Sequence, residues 1–246
     1  MTLATRAVIT AALAAGVAAA AYVGGSLPLA GAAAFLAVLV ALGWPALADL
    51  PDRVGSAMVI ALTGIGGVAA VQVVGVRADL RSLAVVFAAS MLLTFVNELL
   101  RRGGRPRLVE SVAGTVTGSM LAVTTAGWVA CGRMVGGTEL VATAAVALAV
   151  AAAISALRFP VSFTALLVSV AGGGVGAVLG RVFHDIVGMK VGGLAGLSVG
   201  LLVAAIHALF HPIAALDRKL PAFSASVIPV ATGGMLVYIA SRVLYA

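Results

Sequence analysis

Residues 82–111 read SLAVVFAASMLLTFVNELLRRGGRPRLVES, and this stretch decides the fold. From Ser82 to Val96 there is no charge. Then come Asn97 and Glu98, the four arginines Arg101, Arg102, Arg105 and Arg107 around a Gly-Gly pair and a proline, and Glu110. A helix over 82–99 would rise about 27 Å, close to the ~30 Å hydrocarbon thickness of a bilayer. The stretch therefore reads as an apolar crossing followed by a strongly charged turn.

The same pattern recurs along the whole chain. Of 246 residues, 63% are hydrophobic and 9% charged, with mean hydropathy +1.21, whereas soluble domains carry about 25% charged residues. A water-soluble fold could not hide that much apolar surface. The expected fold is all-α: a polytopic transmembrane helical bundle forming a single integral membrane domain over 1–246. Spans are expected at 6–23, 29–47, 54–76, 82–99, 109–131, 139–157, 161–180, 191–213 and 223–243. Gly24–Gly25, Pro51, Gly103–Gly104, Gly136–Gly137, Pro160, Gly188 and Pro221 punctuate the turns. Losing the first or the alanine-rich sixth segment would leave eight spans. The N-terminal run also has the outline of a signal peptide; it is read here as a retained first span.

Basic residues exceed acidic ones 15 to 8, giving a net charge of +7 and a pI near 10.8. They are scattered through turns rather than gathered with stacking aromatics, so they argue for membrane topology and against nucleic acid. With nine spans, Arg6, Arg53, Arg101, Arg102, Arg105, Arg107, Arg158, Arg218 and Lys219 fall on one side; Arg77, Arg81, Arg133, Arg181, Lys190 and Arg242 fall on the other. The positive-inside rule puts the N-terminus and the arginine turn in the cytoplasm and the C-terminus outside. The preference for arginine over lysine, with spans rich in Ala, Val and Gly, fits a bacterial inner membrane. Trp44 and Trp128 lie near span ends, where interfacial placement is expected.

Many of the 30 glycines lie within spans at four-residue spacing: Gly114–Gly118, Gly172–Gly176–Gly180 and Gly192–Gly196–Gly200. Such spacing aligns small residues on one face and lets helix backbones approach closely. Spans five, seven and eight are accordingly expected at the tight centre, and the alanine-rich sixth among other helices.

Few polar residues could carry chemistry. Glu98 and Glu110 bracket the arginine turn, which either anchors the chain at the headgroups or holds a phosphate in an arginine fork beside a glutamate. His207 and His211 share a helix face, but one cysteine, Cys131, and the lack of a third ligand nearby argue against a metal site. Ser111, Thr115 and Ser119 line one face of span five. Those hydroxyls either satisfy carbonyls or, with Gln72 of span three, line a polar path. No cofactor motif stands out.

The arginine turn, "ESVAGTVTG" opening a glycine-rich helix at Glu110, and the late "LDRK" at Leu216 together resemble, in arrangement, membrane cytidylyltransferases of the CDP-diacylglycerol synthase type and polyprenol kinases. That resemblance implies paired aspartates for metal-bound nucleotide and a lysine ahead of the glycine-rich helix; here "RPRLVESVAG" has no lysine and Asp217 stands alone beside Arg218. Three classes of function follow. The first is a permease or transporter for an unidentified solute, anionic or lipid-linked. The second is a membrane enzyme acting on a lipid or isoprenoid phosphate. The third is an assembly partner. The partners expected are the bilayer, an anionic headgroup or phosphate, and a second copy or a larger membrane complex.

Overall fold

The computed structural model describes residues 1–23, 25–73, 81–101, 106–157, 159–183, 187–210, 216 and 218–244, the last without its side chain. Among these residues there is no strand, and nine helical segments are long and apolar enough to cross a membrane. The chain is an all-α, multi-pass membrane protein. Ten helices follow in order: α1 Leu3–Tyr22, α2 Ser26–Leu47, α3 Arg53–Val73, α4 Arg81–Leu100, α5 Leu108–Val123, α6 Ala126–Gly132, α7 Gly137–Ile154, α8 Val161–Val182, α9 Gly188–Phe210 and α10 Lys219–Leu244. Helices α5 and α6 together make one crossing, Leu108–Gly132. Below, the proximal face is the one carrying the N-terminus and the turn between α4 and α5; the distal face carries the turns after α1, α3, α6 and α8.

Each of the nine expected spans has its helix, with ends shifted by a few residues. The fifth differs in kind, because it breaks at Thr124–Thr125. There the Thr124 hydroxyl donates to the Leu121 carbonyl (2.6 Å) and the Thr125 hydroxyl to the Ala122 carbonyl (2.8 Å). The backbone tightens to three-residue spacing, with amides of Thr125, Gly127 and Trp128 donating to Ala122, Thr124 and Thr125. Hydroxyls that bond back to their own helix compete with its ladder. Irregular backbone at membrane depth is tolerable only where protein covers it, and all of 125–131 is buried.

Trp128 corrects an expectation. It is fully buried rather than interfacial, with its indole N–H donating to the Val230 carbonyl at 2.7 Å. Its ring lies against Gly233 and Gly234 of α10, where a side chain would collide with it. A residue four positions from the end of its crossing in sequence lies well inside the protein because the broken helix is packed against α10. Trp44 is partly buried and donates to the Gly114 carbonyl at 2.8 Å, tying α2 to α5.

The glycine faces pair as expected but do not occupy the centre. Helices α8 and α9 run antiparallel with backbones in contact: a β-carbon on Gly176 would overlap the Gly192 carbonyl, and one on Gly196 that of Gly172. Yet only 28% and 39% of these two spans are buried, against 61% for alanine-rich α7 and 72% for α10. Glycine removes the side chains that would reach third helices, so close pairing leaves the outer faces to lipid. Alanine keeps a helix slim on every side, and α7 is surrounded. The centre is therefore α5–α6, α7 and α10 around Trp128, Leu148, Val227 and Val230.

Candidate functional site

Helix α4 is amphipathic in the sense a lipid solvent demands. Its buried positions are Leu83, Ser90, Thr94 and Glu98, whereas Val85, Leu92, Phe95 and Leu99 are exposed. The four-residue repeat Ser90–Thr94–Glu98 puts a polar stripe on one face, and α3 and α5 cover it. From α5 come Ser111, Thr115 and Ser119, all buried; from α3 come Ser56 and Thr63. Three helices thus enclose a seam of hydroxyls with one carboxylate at its proximal end.

Glu98 is the chemical centre of that seam. Its side chain is 4% exposed and pairs with Arg101, itself 12% exposed, at 3.1 Å. Arg101 also donates to the Pro106 carbonyl at 3.1 Å. The Ser111 hydroxyl donates to the other carboxylate oxygen of Glu98 in a short hydrogen bond. Deeper in, the Thr115 hydroxyl donates to the Ser111 carbonyl and the Ser56 and Thr115 oxygens lie 2.8 Å apart. A hydroxyl has one proton, so Ser56 is the donor in that pair. The next layer is Thr63 and Ser119, 3.5 Å apart. Ser90 and Thr94 donate to carbonyls of their own helix. Beyond this layer the seam is closed by Val123 and Leu83, which pack around Gly67.

Beside Glu98, Asp52 caps α3 by accepting from the Gly55 amide at 3.1 Å, and its second oxygen accepts from Asn97 at 3.1 Å. The chain's one asparagine therefore locks the start of α3 to the end of α4. A β-carbon at Gly55 would meet the ends of the Asn97 and Asp52 side chains, so glycine lets both approach the start of α3 closely.

The site residues expected from sequence separate into four places. Glu98 and Arg101 form the seam's buried pair. Arg107 and Glu110 are paired at 2.5 Å on the exposed surface, with Arg107 also 3.3 Å from Asp49, which in turn lies 3.6 Å from Arg53. The hydrogen bond and charge of Glu110, followed by those of Asp49, hold the Arg107 proton more firmly than in an isolated arginine. Arg102, Arg105, His211 and Asp217 lie outside the described residues. Both described arginines of the turn therefore already have carboxylate partners.

Gln72 and His207 are elsewhere. Gln72 lies at the distal end of α3, donating to Ser26 at 2.7 Å and accepting from Arg133 through its side-chain oxygen at 3.2 Å and its carbonyl at 2.9 Å. It stands nine residues after Thr63, two and a half turns, and so points away from the seam. His207 lines a separate cavity between α1, α7, α9 and α10. Among the described residues no group of three or more His, Cys, Asp or Glu is placed to share an ion.

Several participants were not singled out from sequence: Asp52, Ser56, Thr63, Ser90 and Thr94. The stripe on α4 carried the same four-residue signal as that on α5. No family model, curated protein or solved structure matches this chain.

Proposed function

We propose that the protein is a permease of a bacterial inner membrane, with its N-terminus cytoplasmic, in which the α3–α4–α5 seam is the solute path and Glu98 is the group that binds a proton or cation. One observation carries this reading: a carboxylate buried at the end of a membrane helix, followed inward by hydroxyls from three helices, those of α3 and α5 in facing pairs. Ionisable groups within spans are expensive and mark ion pathways. Arg101 satisfies Glu98 when no cation is present, and an arriving proton or cation would compete with it. That exchange is a two-state element of the kind a carrier needs.

Two further features support transport over headgroup chemistry. The crossing that contributes Ser111, Thr115 and Ser119 is interrupted within its length, at Thr124–Thr125, as discontinuous helices are at many carrier sites. Among the described residues, the groups that an enzyme would use, Glu98, Glu110 and His207, are dispersed over three separate places rather than gathered in one cleft.

The test is ion flux into proteoliposomes containing the purified full chain and a trapped pH dye, under imposed proton, sodium and potassium gradients. The expected result is flux above empty vesicles in at least one gradient, lost in Glu98→Gln and retained in Glu110→Gln. Equal flux in the parent and Glu98→Gln chains, or none above empty vesicles in any gradient, would overturn the proposal.

A further inference from the structure

A second polar site lies on the proximal side of the bundle, away from the seam. Helices α1, α7, α9 and α10 line a half-open cavity of about 40 Å³ bordered by Arg6, Thr10, Ser155, His207, Ser226 and Pro229, among others. One water needs roughly 10–15 Å³ on this measure, so the cavity holds about three water-sized particles. Pro229 has no amide hydrogen, so the carbonyl one turn earlier on α10, at Ala225, lacks its helical partner where it borders the cavity.

Among the described residues that line the cavity, Arg6 is the one formally charged group and none is a carboxylate. Its Nε is shut off from solvent and has no hydrogen-bond partner. An arginine near a span end ordinarily extends to the headgroups; this one begins a turn before Thr10 and turns inward. The neighbouring hydroxyl protons are already committed. Thr10 donates to the Ser226 carbonyl at 2.8 Å, Ser155 to Ala152 at 2.7 Å and Ser226 to Ala222 at 2.9 Å. Arg6 is partly buried, and its guanidinium is a charged donor whose Nε edge, shut off from water, is costly to leave unpaired.

We infer that this cavity is an anion site, in which Arg6 holds a small oxyanion of carboxylate size through its forked N–H groups. A carboxylate head has three heavy atoms, matching the volume, and planar bidentate recognition is what guanidinium does best. The positive charge of Arg6 disfavours a metal cation. The site uses no residue of the seam, so it stands or falls independently of the transport reading.

The experiment is calorimetric titration of the purified full chain in neutral detergent with formate, acetate and octanoate, repeated on Arg6→Gln and Arg6→Lys. Saturable binding by the parent is expected, weakened about tenfold or more in Arg6→Gln, the size of one charge-assisted hydrogen bond, and weakened less in Arg6→Lys, which keeps the charge but loses the fork. Similar affinity for formate and octanoate identifies a free anion; octanoate binding much more tightly identifies the head of an amphiphile; either supports the site. Absence of saturable binding of all three by the parent chain overturns it, whether or not the variants fold. So does unchanged affinity in Arg6→Gln.

Discussion

Replacing Glu98 by glutamine tests whether the seam is organised around a buried ion pair. Glutamine preserves the shape and an acceptor for Ser111, but leaves the Arg101 guanidinium without its counter-charge at 12% exposure. Removing one partner of a buried pair costs about 3–5 kcal/mol, most of it the stranded charge. With Pro106 still accepting from Arg101, the lower end, about 3 kcal/mol, is expected. For a chain of this length that corresponds to a fall of roughly 6–12 °C in apparent Tm in detergent micelles. Arg101→Gln takes the guanidinium from Glu98, which keeps the Ser111 hydroxyl, and should lower Tm as well, by less. The double variant strands neither and should be more stable than the sum of the singles by about 2 kcal/mol. Arg107→Gln, on an exposed pair, serves as the control and should leave Tm unchanged within error. A shift below about 2 °C for Glu98→Gln, or strict additivity in the double variant, would refute the claim that this pair is desolvated and coupled.

Two other outcomes follow from the packing and the number of crossings. Gly176→Ala and Gly192→Ala each put a β-carbon into the opposing backbone of the α8–α9 pair, so both should lower Tm and the yield of monodisperse protein, whereas Gly174→Ala, with open space around it, should leave both unchanged. In a chain whose buried Cys131 has been replaced by alanine, single cysteines at Asp49 and Val135 should be labelled by a membrane-impermeant maleimide from opposite sides of sealed vesicles; labelling from the same side would contradict the odd number of crossings between them.

The bundle was legible in the sequence because lipid imposes one rule on every span, and that rule leaves long uncharged runs. The seam was half legible. Ser111, Thr115 and Ser119 stood out on a glycine-rich helix, while Ser90 and Thr94 stood among large apolar residues that mark α4 as a lipid-facing span. Both stripes have the same period, and it is their facing one another that only the folded chain reveals. Arg6 was counted among topology-setting charges, since nothing in a linear sequence distinguishes an arginine that reaches the headgroups from one that turns into the bundle. The break at Thr124–Thr125 left no proline to announce it; two adjacent hydroxyls bonding back to their own carbonyls did the work that a proline does elsewhere.

The distribution of polarity across the membrane constrains how such a carrier would move. Glu98, Arg101, Ser111 and Ser56 lie in the proximal half, and so does the Arg6 cavity. Toward the distal face the seam meets Leu83 and Val123, and beyond them Arg133, Gln72 and Ser26 clasp α6, α3 and α2 together. On the transport reading this arrangement is the form that admits solute from the proximal face. Reaching the distal face requires that the clasp open and Val123 withdraw. Val123 is the last residue of α5, directly before the irregular backbone, while Arg133 immediately follows α6. The two closures therefore flank the break: α5 swinging about Thr124–Thr125 would withdraw Val123 while Trp128 stays packed on α10, and the Arg133 clasp, which follows α6, would open through its own side chain.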